Sequence, residues 1–245
     1  MITSRDDTKD QGSGSSTRQS TRHGVDEVKK KTLLCQGIPG AGKTILTSIV
    51  IEDLTSNVQN DNDVGIAYIY CNFRDHDQQR YEDLLASLLK QLSEQRQVFP
   101  DCLEALFTRH SKKHTRPSPD EISRTLQSVA AMYSKAFIIV DALDECREND
   151  DSRNRLLTQI FHLQTSSEVR FFTTSRHIPN ITDKFPEDTR LQVRAAEEDL
   201  RKYLEDEILL LPRFVQRDPH LIEEVKVTIL RAVDGMYVAT KLFDE

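Results

Sequence analysis

A chain of 245 residues, 37% hydrophobic and 30% charged, is long enough for one large domain with a buried core, and its net charge of −7 without a basic stripe argues against general nucleic-acid binding. No apolar run can span a bilayer, and the polar N-terminus lacks the apolar segment of a signal peptide. The four cysteines, Cys35, Cys71, Cys102 and Cys146, form no CxxC pair, which argues against a zinc site or a redox dithiol and suits a reducing, cytoplasmic setting.

Residues 1–24 are rich in Ser, Thr, Gly, Arg and Asp, too polar to offset the entropy of ordering, and read as a disordered tail. "TLLCQ" at 32–36 reads as a strand, followed by a glycine loop and a helix through about Ser56. "VGIAYIYCNF" at 64–73 is a second strand. The charged loop "RDHDQQR" at 74–80 reads as solvated. Tyr81, Leu84, Leu85, Leu88, Leu89 and Leu92 recur at helical spacing and predict a core-facing helix. Another helix is expected over 101–110. "SPDE" at 118–121 is a capping box with Pro119 in the first helical position, launching a helix to about Tyr133. "AFIIVD" at 136–141 is a continuous apolar run ending in an acid, as a strand buried on both faces would be. A helix at 152–164, a strand "VRFFTT" at 169–174 and a strand "TRLQV" at 189–193 complete the alternation.

Strand-helix alternation predicts an α/β fold, a parallel five-stranded sheet flanked by helices. Beyond about residue 195 the pattern is helical only. Leu200, Tyr203, Leu204, Ile208 and Leu211 form one stripe, and a helix over 219–233 is closed by Asp234-Gly235. The expected organisation is a tail at 1–24, a core at 25–194 and a partial helical subdomain at 195–245. No internal repeat is present.

"GIPGAGKT" matches the G-x-x-x-x-G-K-[ST] pattern at Gly37, Gly42, Lys43 and Thr44. The chemistry needs these types. Glycines let backbone N–H groups converge on phosphate oxygens, and the following helix adds the positive end of its dipole. The expected nucleotide cradle is Gly37, Ile38, Pro39, Gly40, Ala41, Gly42, Lys43, Thr44 and Ile45. Lys43 is expected to reach the β and γ phosphates, and Thr44 to ligate Mg²⁺. In "FIIVDALDEC", Asp141 ends the strand where a magnesium-holding acid belongs, and a carboxylate from Asp144 or Glu145 can orient or deprotonate water. In "FFTTSR", Arg176 would point at the γ-phosphate if its strand lies beside the glycine-loop strand. His110 and His114 are four apart, but no third ligand accompanies them.

Together "GIPGAGKT", "VDALDEC", "TTSR" and "DGMYVATKL" resemble the NACHT branch of the STAND P-loop NTPases. They are most similar to fungal NACHT proteins, NLR-like, with a nephrocystin-like N-terminal NTPase module. "YIYCNFRDHDQQRYEDLLASLLKQL" resembles the segment those proteins carry after their second strand, and the resemblance covers about 32–244. It implies a nucleotide switch that rests closed on a diphosphate, exchanges it for a triphosphate and self-associates to signal. By that resemblance Lys43 and Thr44 hold phosphate and Mg²⁺, Asp141 supports the metal, Asp144 and Glu145 are the extended acid pair, and Arg176 is the first sensor. The position that carries a base-touching proline in related switches holds Tyr237 here. The chain is expected to be a core apart from the family's winged-helix, sensor and effector modules.

The expected function is therefore binding and slow hydrolysis of ATP (or GTP) with Mg²⁺. Two alternatives stand beside it: a small-molecule P-loop kinase, and a nucleotide-binding interaction module without hydrolysis. The acid pair favours water over an acceptor substrate. The lack of N-K-x-D and the presence of Asp144 where D-x-x-G needs glycine argue against a small GTPase.

Overall fold

The computed structural model describes residues 31–58, 61–73, 79–147, 151–194, 197–208 and 213–233. The expected tail at 1–24, most of the 74–80 loop, residues 195 and 196 at the expected domain boundary, Leu211, Asp234-Gly235 and Tyr237 lie outside the described residues, as do the side chains of Leu200 and Tyr203.

Five strands form one sheet: β1 (Thr32–Gln36), β2 (Val64–Tyr70), β3 (Lys135–Asp141), β4 (Val169–Ser175) and β5 (Arg190–Gln192). Their order is β2-β3-β4-β1-β5, and every pairing is parallel. Parallel neighbours need crossovers, and helices supply them. α1 (Lys43–Val58) joins β1 to β2. α2 (Tyr81–Glu94), α3 (Asp101–Lys113) and α4 (Pro119–Ala130) lie between β2 and β3. α5 (Ser152–Ser166) joins β3 to β4, and the single turn α6 (Pro179–Thr182) precedes β5. α7 (Glu197–Ile208), α8 (Arg213–Gln216) and α9 (Pro219–Val233) follow as a helical run. The expected α/β class, a parallel five-stranded sheet flanked by helices, is the fold observed.

β3 lies inside the sheet between β2 and β4, and Ile138, Ile139 and Val140 are all fully buried, which accounts for its unbroken apolar run. α2, α4 and α5 pack on one face, where Leu84, Leu85, Leu88 and Leu92 meet Leu126, Leu156, Ile138 and Phe171 in one core cluster. α1 lies against β2, β3 and β4, and its Thr47 and Ser48 bond to Asp141 and Tyr70. That side is thinly covered. Only Thr47 of α1 is buried, and Ile45, Ile49, Tyr68 and Tyr70 are exposed.

Some boundaries differ from the sequence reading. The second strand ends at Tyr70 instead of residue 73, because Asn72 leaves the ladder and exchanges both backbone bonds with the Gln79 carboxamide. α4 stops at Ala130 instead of Tyr133. There the chain turns so that the Tyr133 hydroxyl donates to the Leu92 carbonyl at 2.5 Å and Ser134 N–H donates to the Asp63 carbonyl. α3 runs on to Lys113 and ends where His114 adopts a left-handed φ of 51°.

The free edge of β2 is covered by side chains. Gln95 accepts from Ile66 N–H at 2.9 Å and donates to its carbonyl, and Gln91 does the same for Tyr68 at 2.9 and 2.8 Å. A carboxamide carries one acceptor and two donors, so Gln91 of α2 and Gln95, which caps its C-terminus, each imitate one residue of a neighbouring strand.

Candidate functional site

The loop between β1 and α1 is held at both ends. Gly37 N–H donates to the Ser175 carbonyl at 3.2 Å, and Leu46 N–H closes the first turn of α1 onto Gly42 at 2.9 Å. Gly40 (φ 74°) and Gly42 (φ 85°) sit in the left-handed region, where a side chain would be strained. A Cβ at Gly37 would lie 2.6 Å from the Val193 carbonyl. These positions give the loop its shape, and the N-terminus of α1 directs free N–H groups and the positive end of its dipole outward from Lys43.

A cavity of about 380 Å³ opens at this loop. Pro39, Gly40, Gly42, Lys43, Thr44 and Ile45 line one side, and Ala142, Asp144, Glu145, Thr174 and Arg176 line the other. Gly37 and Ile38 face instead a neighbouring cavity of about 700 Å³, shared with Pro39, Arg176, His177 and Gln192. Ala41 is buried and lines neither.

The Lys43 ammonium folds back over the loop and donates to the Gly37 and Ile38 carbonyls, each at 2.8 Å. Burial pulls its pKa below the usual lysine value, and the carboxylate of Asp144 opposes that pull.

Asp141 ends β3 with 3% of its surface exposed. Three hydroxyls hold its carboxylate: Thr44 at 2.7 Å on one oxygen, Thr47 at 2.7 Å and Thr174 at 2.6 Å on the other. Thr174 also accepts from Ala142 N–H at 2.9 Å, which fixes the turn that follows the strand. Ala142 takes a left-handed φ of 52°, an uncommon conformation for a residue with a side chain, and so aims the acid pair back toward the loop. A hydroxyl and a carboxylate oxygen held side by side are the hard oxygen donors that Mg²⁺ takes, so Thr44 and Asp141 fit that ion.

The acid pair lies on a 3-10 turn, Leu143–Glu145, and its members differ. The Asp144 side chain is 2% exposed, and both its oxygens are engaged by Arg176: one accepts from the backbone N–H at 3.0 Å, the other from Nε at 2.5 Å. That bond raises the pKa of Arg176 further. Glu145 is half-buried, lines the cavity, and among the described residues accepts only a long bond from Phe73 N–H at 3.4 Å. The strand adjacency on which the reading of Arg176 depended is present. β4 pairs with β1, with Cys35 opposite Thr174 and Gln36 opposite Ser175. The guanidinium itself rests on Asp144.

Thr47 and the hydroxyl of Thr174 are the members that sequence reasoning missed. Thr47 stands three residues after Thr44 and so shares its helix face, a spacing that could have flagged it. His110 is engaged locally, with Thr115 at 2.8 Å and Glu121 at 3.3 Å. Cys35, Cys71 and Cys146 are buried thiols and Cys102 is half-buried. Burial pushes Cys35 up to about 11, and a bond to Cys146 together with burial pushes Cys71 up, which keeps both protonated.

The family model described as "Nephrocystin 3, N-terminal" matches residues 15–176. No curated protein matches the chain. Among solved structures, the Aeropyrum pernix ORC1 protein in complex with DNA superposes with a TM-score of 0.50 at 16% identity, over 89% of this chain and 55% of that one. A Walker-type ATPase of Pyrococcus abyssi gives a TM-score of 0.46 at 13% identity, over 90% of this chain and 64% of that one. Domain III of the Thermotoga maritima replication initiation protein DnaA gives 0.40 at 16% identity, over 92% and 80%. The first of these is a likeness of fold alone, and this chain spans little more than half of that protein.

Proposed function

The chain belongs to the family described as nephrocystin 3, N-terminal, and on that premise we propose that it binds a Mg²⁺-nucleoside triphosphate and hydrolyses it slowly, as the core of a NACHT-type, NLR-like signalling switch. The observation that carries the reading is the Thr44–Asp141 bond of 2.7 Å beside the glycine loop. It joins the phosphate-binding helix to the acid strand across 97 residues of sequence.

In this reading the loop amides and Lys43 bind the β and γ phosphates, Lys43 exchanging two carbonyl partners for phosphate oxygens. Thr44 and Asp141 hold Mg²⁺, which when bound offsets the phosphate charge. Glu145 orients a water and takes its proton as the water oxygen bonds to the γ-phosphorus and the bond from that phosphorus to the bridging oxygen breaks. Between the two acids, Glu145 is the base, because both oxygens of Asp144 are engaged by Arg176. Arg176 meets the γ-phosphate. Residues 25–194 form the nucleotide core, and 195–245 a partial helical subdomain. Self-association belongs to the triphosphate state.

A net charge of −7 supports nucleotide over nucleic acid as the ligand. Among the described residues no helix is long and apolar enough to cross a membrane. We assign ATP as the nucleotide and the cytoplasm as the location on the family resemblance.

The test compares phosphate release from wild type, Lys43→Ala and Glu145→Gln, with chromatography of any nucleotide freed on denaturation. The expected result is slow release by wild type and none by either variant, with nucleotide still bound to Glu145→Gln. Equal release from all three would refute hydrolysis at this site, and transfer to an added acceptor would favour a kinase.

A further inference from the structure

The cysteines are scattered in sequence, yet the fold brings two of them together. Tyr70 pairs with Asp141 in the sheet, and Cys71 N–H donates to the Asp141 carbonyl at 3.1 Å, so Cys71 lies where the acid turn begins. The turn then folds Cys146 back, with its N–H on the Leu143 carbonyl at 3.3 Å. Both side chains enter the same core cluster, at 5% and 2% exposure, and the two thiols share a hydrogen bond. Both are reduced. Two sulfurs in contact on separate segments meet the first geometric need of a disulfide.

Core packing alone accounts for an ordinary buried cysteine. The place of this pair asks for more. Cys146 adjoins Glu145, and Phe73, two residues after Cys71, donates its N–H to the Glu145 carboxylate at 3.4 Å. A bond between the sulfurs would tie together the two segments between which Glu145 sits. Lys43 and Thr44 belong to the glycine loop and the start of α1, outside that tie.

Access limits the reaction, because thiols this buried meet an oxidant slowly. The segment that carries Cys146 is a single 3-10 turn, closed by Glu145 N–H on the Ala142 carbonyl at 2.8 Å and by the Leu143 bond. Opening so small a unit costs far less than unfolding the sheet. The first oxidation is therefore slow and waits on the turn, and the second step is fast because the partner sulfur is at hand.

We propose that Cys71 and Cys146 are a redox switch, a dithiol that a small hydroperoxide converts to a disulfide, which fixes the acid turn against the end of β2 and stops Glu145 from acting as base. With hydrogen peroxide, one thiolate attacks a peroxide oxygen, the O–O bond breaks, and the other oxygen leaves as water with the thiol proton. The second sulfur attacks the sulfenic sulfur, the S–O bond breaks, and hydroxide takes the second thiol proton. The two thiols lose two electrons and two protons, and one peroxide becomes two waters. The effect on hydrolysis rests on the nucleotide reading above; the disulfide itself does not.

The experiment treats the full chain with hydrogen peroxide and maps its peptides by mass spectrometry without reduction. It also follows phosphate release before oxidation, after it, and after dithiothreitol. The expected result is a Cys71–Cys146 cross-link, a fall in phosphate release of about tenfold or more, and recovery of both on reduction. The affinity for a non-hydrolysable Mg²⁺-ATP analogue should hold, since the tie leaves the glycine loop alone. Cys71→Ala should release phosphate as wild type does and lose the dithiothreitol-reversible response to peroxide; Cys102→Ala should keep that response. Should Cys71→Ala fail to fold, the cross-link map of wild type decides. Oxidation of Cys102 without any Cys71–Cys146 cross-link overturns the proposal, and so does a cross-link that leaves phosphate release unchanged. If the reduced protein releases no more phosphate than Lys43→Ala, the nucleotide reading has failed, and the map still tells whether the disulfide forms.

Discussion

Asp141 has 3% of its surface exposed, and three threonine hydroxyls donate to its carboxylate. A hydrogen bond to a charged acceptor contributes about 1.5–3 kcal/mol net, and Thr47 is fully buried, so Thr47→Val should lower stability by about that amount in urea denaturation. Valine matches threonine in shape, so an unchanged midpoint would mean that Thr44 and Thr174 satisfy the acid without it. The residues at this centre were unequally legible. Gly37, Lys43, Thr44 and Asp141 announce themselves because phosphate chemistry requires those types at fixed spacing. Thr174 does not, because it reaches Asp141 only through the pairing of β4 with β3 and could be any polar strand residue by sequence.

Two elements make the case for local chemistry tuned by tertiary contacts. The edge of β2 is guarded by Gln91 and Gln95, each bonded twice to one strand residue. The double variant Gln91→Ala, Gln95→Ala strips those partners and leaves a row of free backbone groups flanked by exposed Tyr68 and Tyr70. Without nucleotide, it should self-associate with rising concentration in light scattering where wild type does not. If it stays monomeric, the glutamines serve only to seat α2. The N-terminus of α4 tests differently. Ser118 bonds from its N–H and hydroxyl, with His110 and Arg109 adding to them, draw the Glu121 carboxyl down to about 2. A depressed carboxyl pKa means that the unfolded chain binds more protons between about 2 and its ordinary value of 4.5. Stability from this cap is therefore full above 4.5 and is lost as pH falls towards 2. Glu121→Gln should be less stable than wild type at neutral pH and should close that gap on acidification. A gap constant down to pH 2 would assign the cap to the serine alone.

For the whole molecule, ligand linkage supplies the prediction. A nucleotide that binds only the folded state at about 100 times its Kd adds about 2.7 kcal/mol, so Mg²⁺-ATP should raise the melting temperature of wild type and leave that of Lys43→Ala unmoved. Equal shifts in both would place binding away from the glycine loop. The amino-acid sequence by itself determined the element types, the parallel α/β class, the capping box of α4 and the phosphate loop, because periodicity, turn chemistry and motif spacing act within a few residues of one another. Only the tertiary structure decided that β4 lies beside β1, that Arg176 closes on Asp144 32 residues before it, and that two glutamines serve the free side of the second strand. Those contacts depend on strand order and on which charge finds its partner in the fold. Both are set by burial of the whole sheet between its helices, and no local window of residues carries that information.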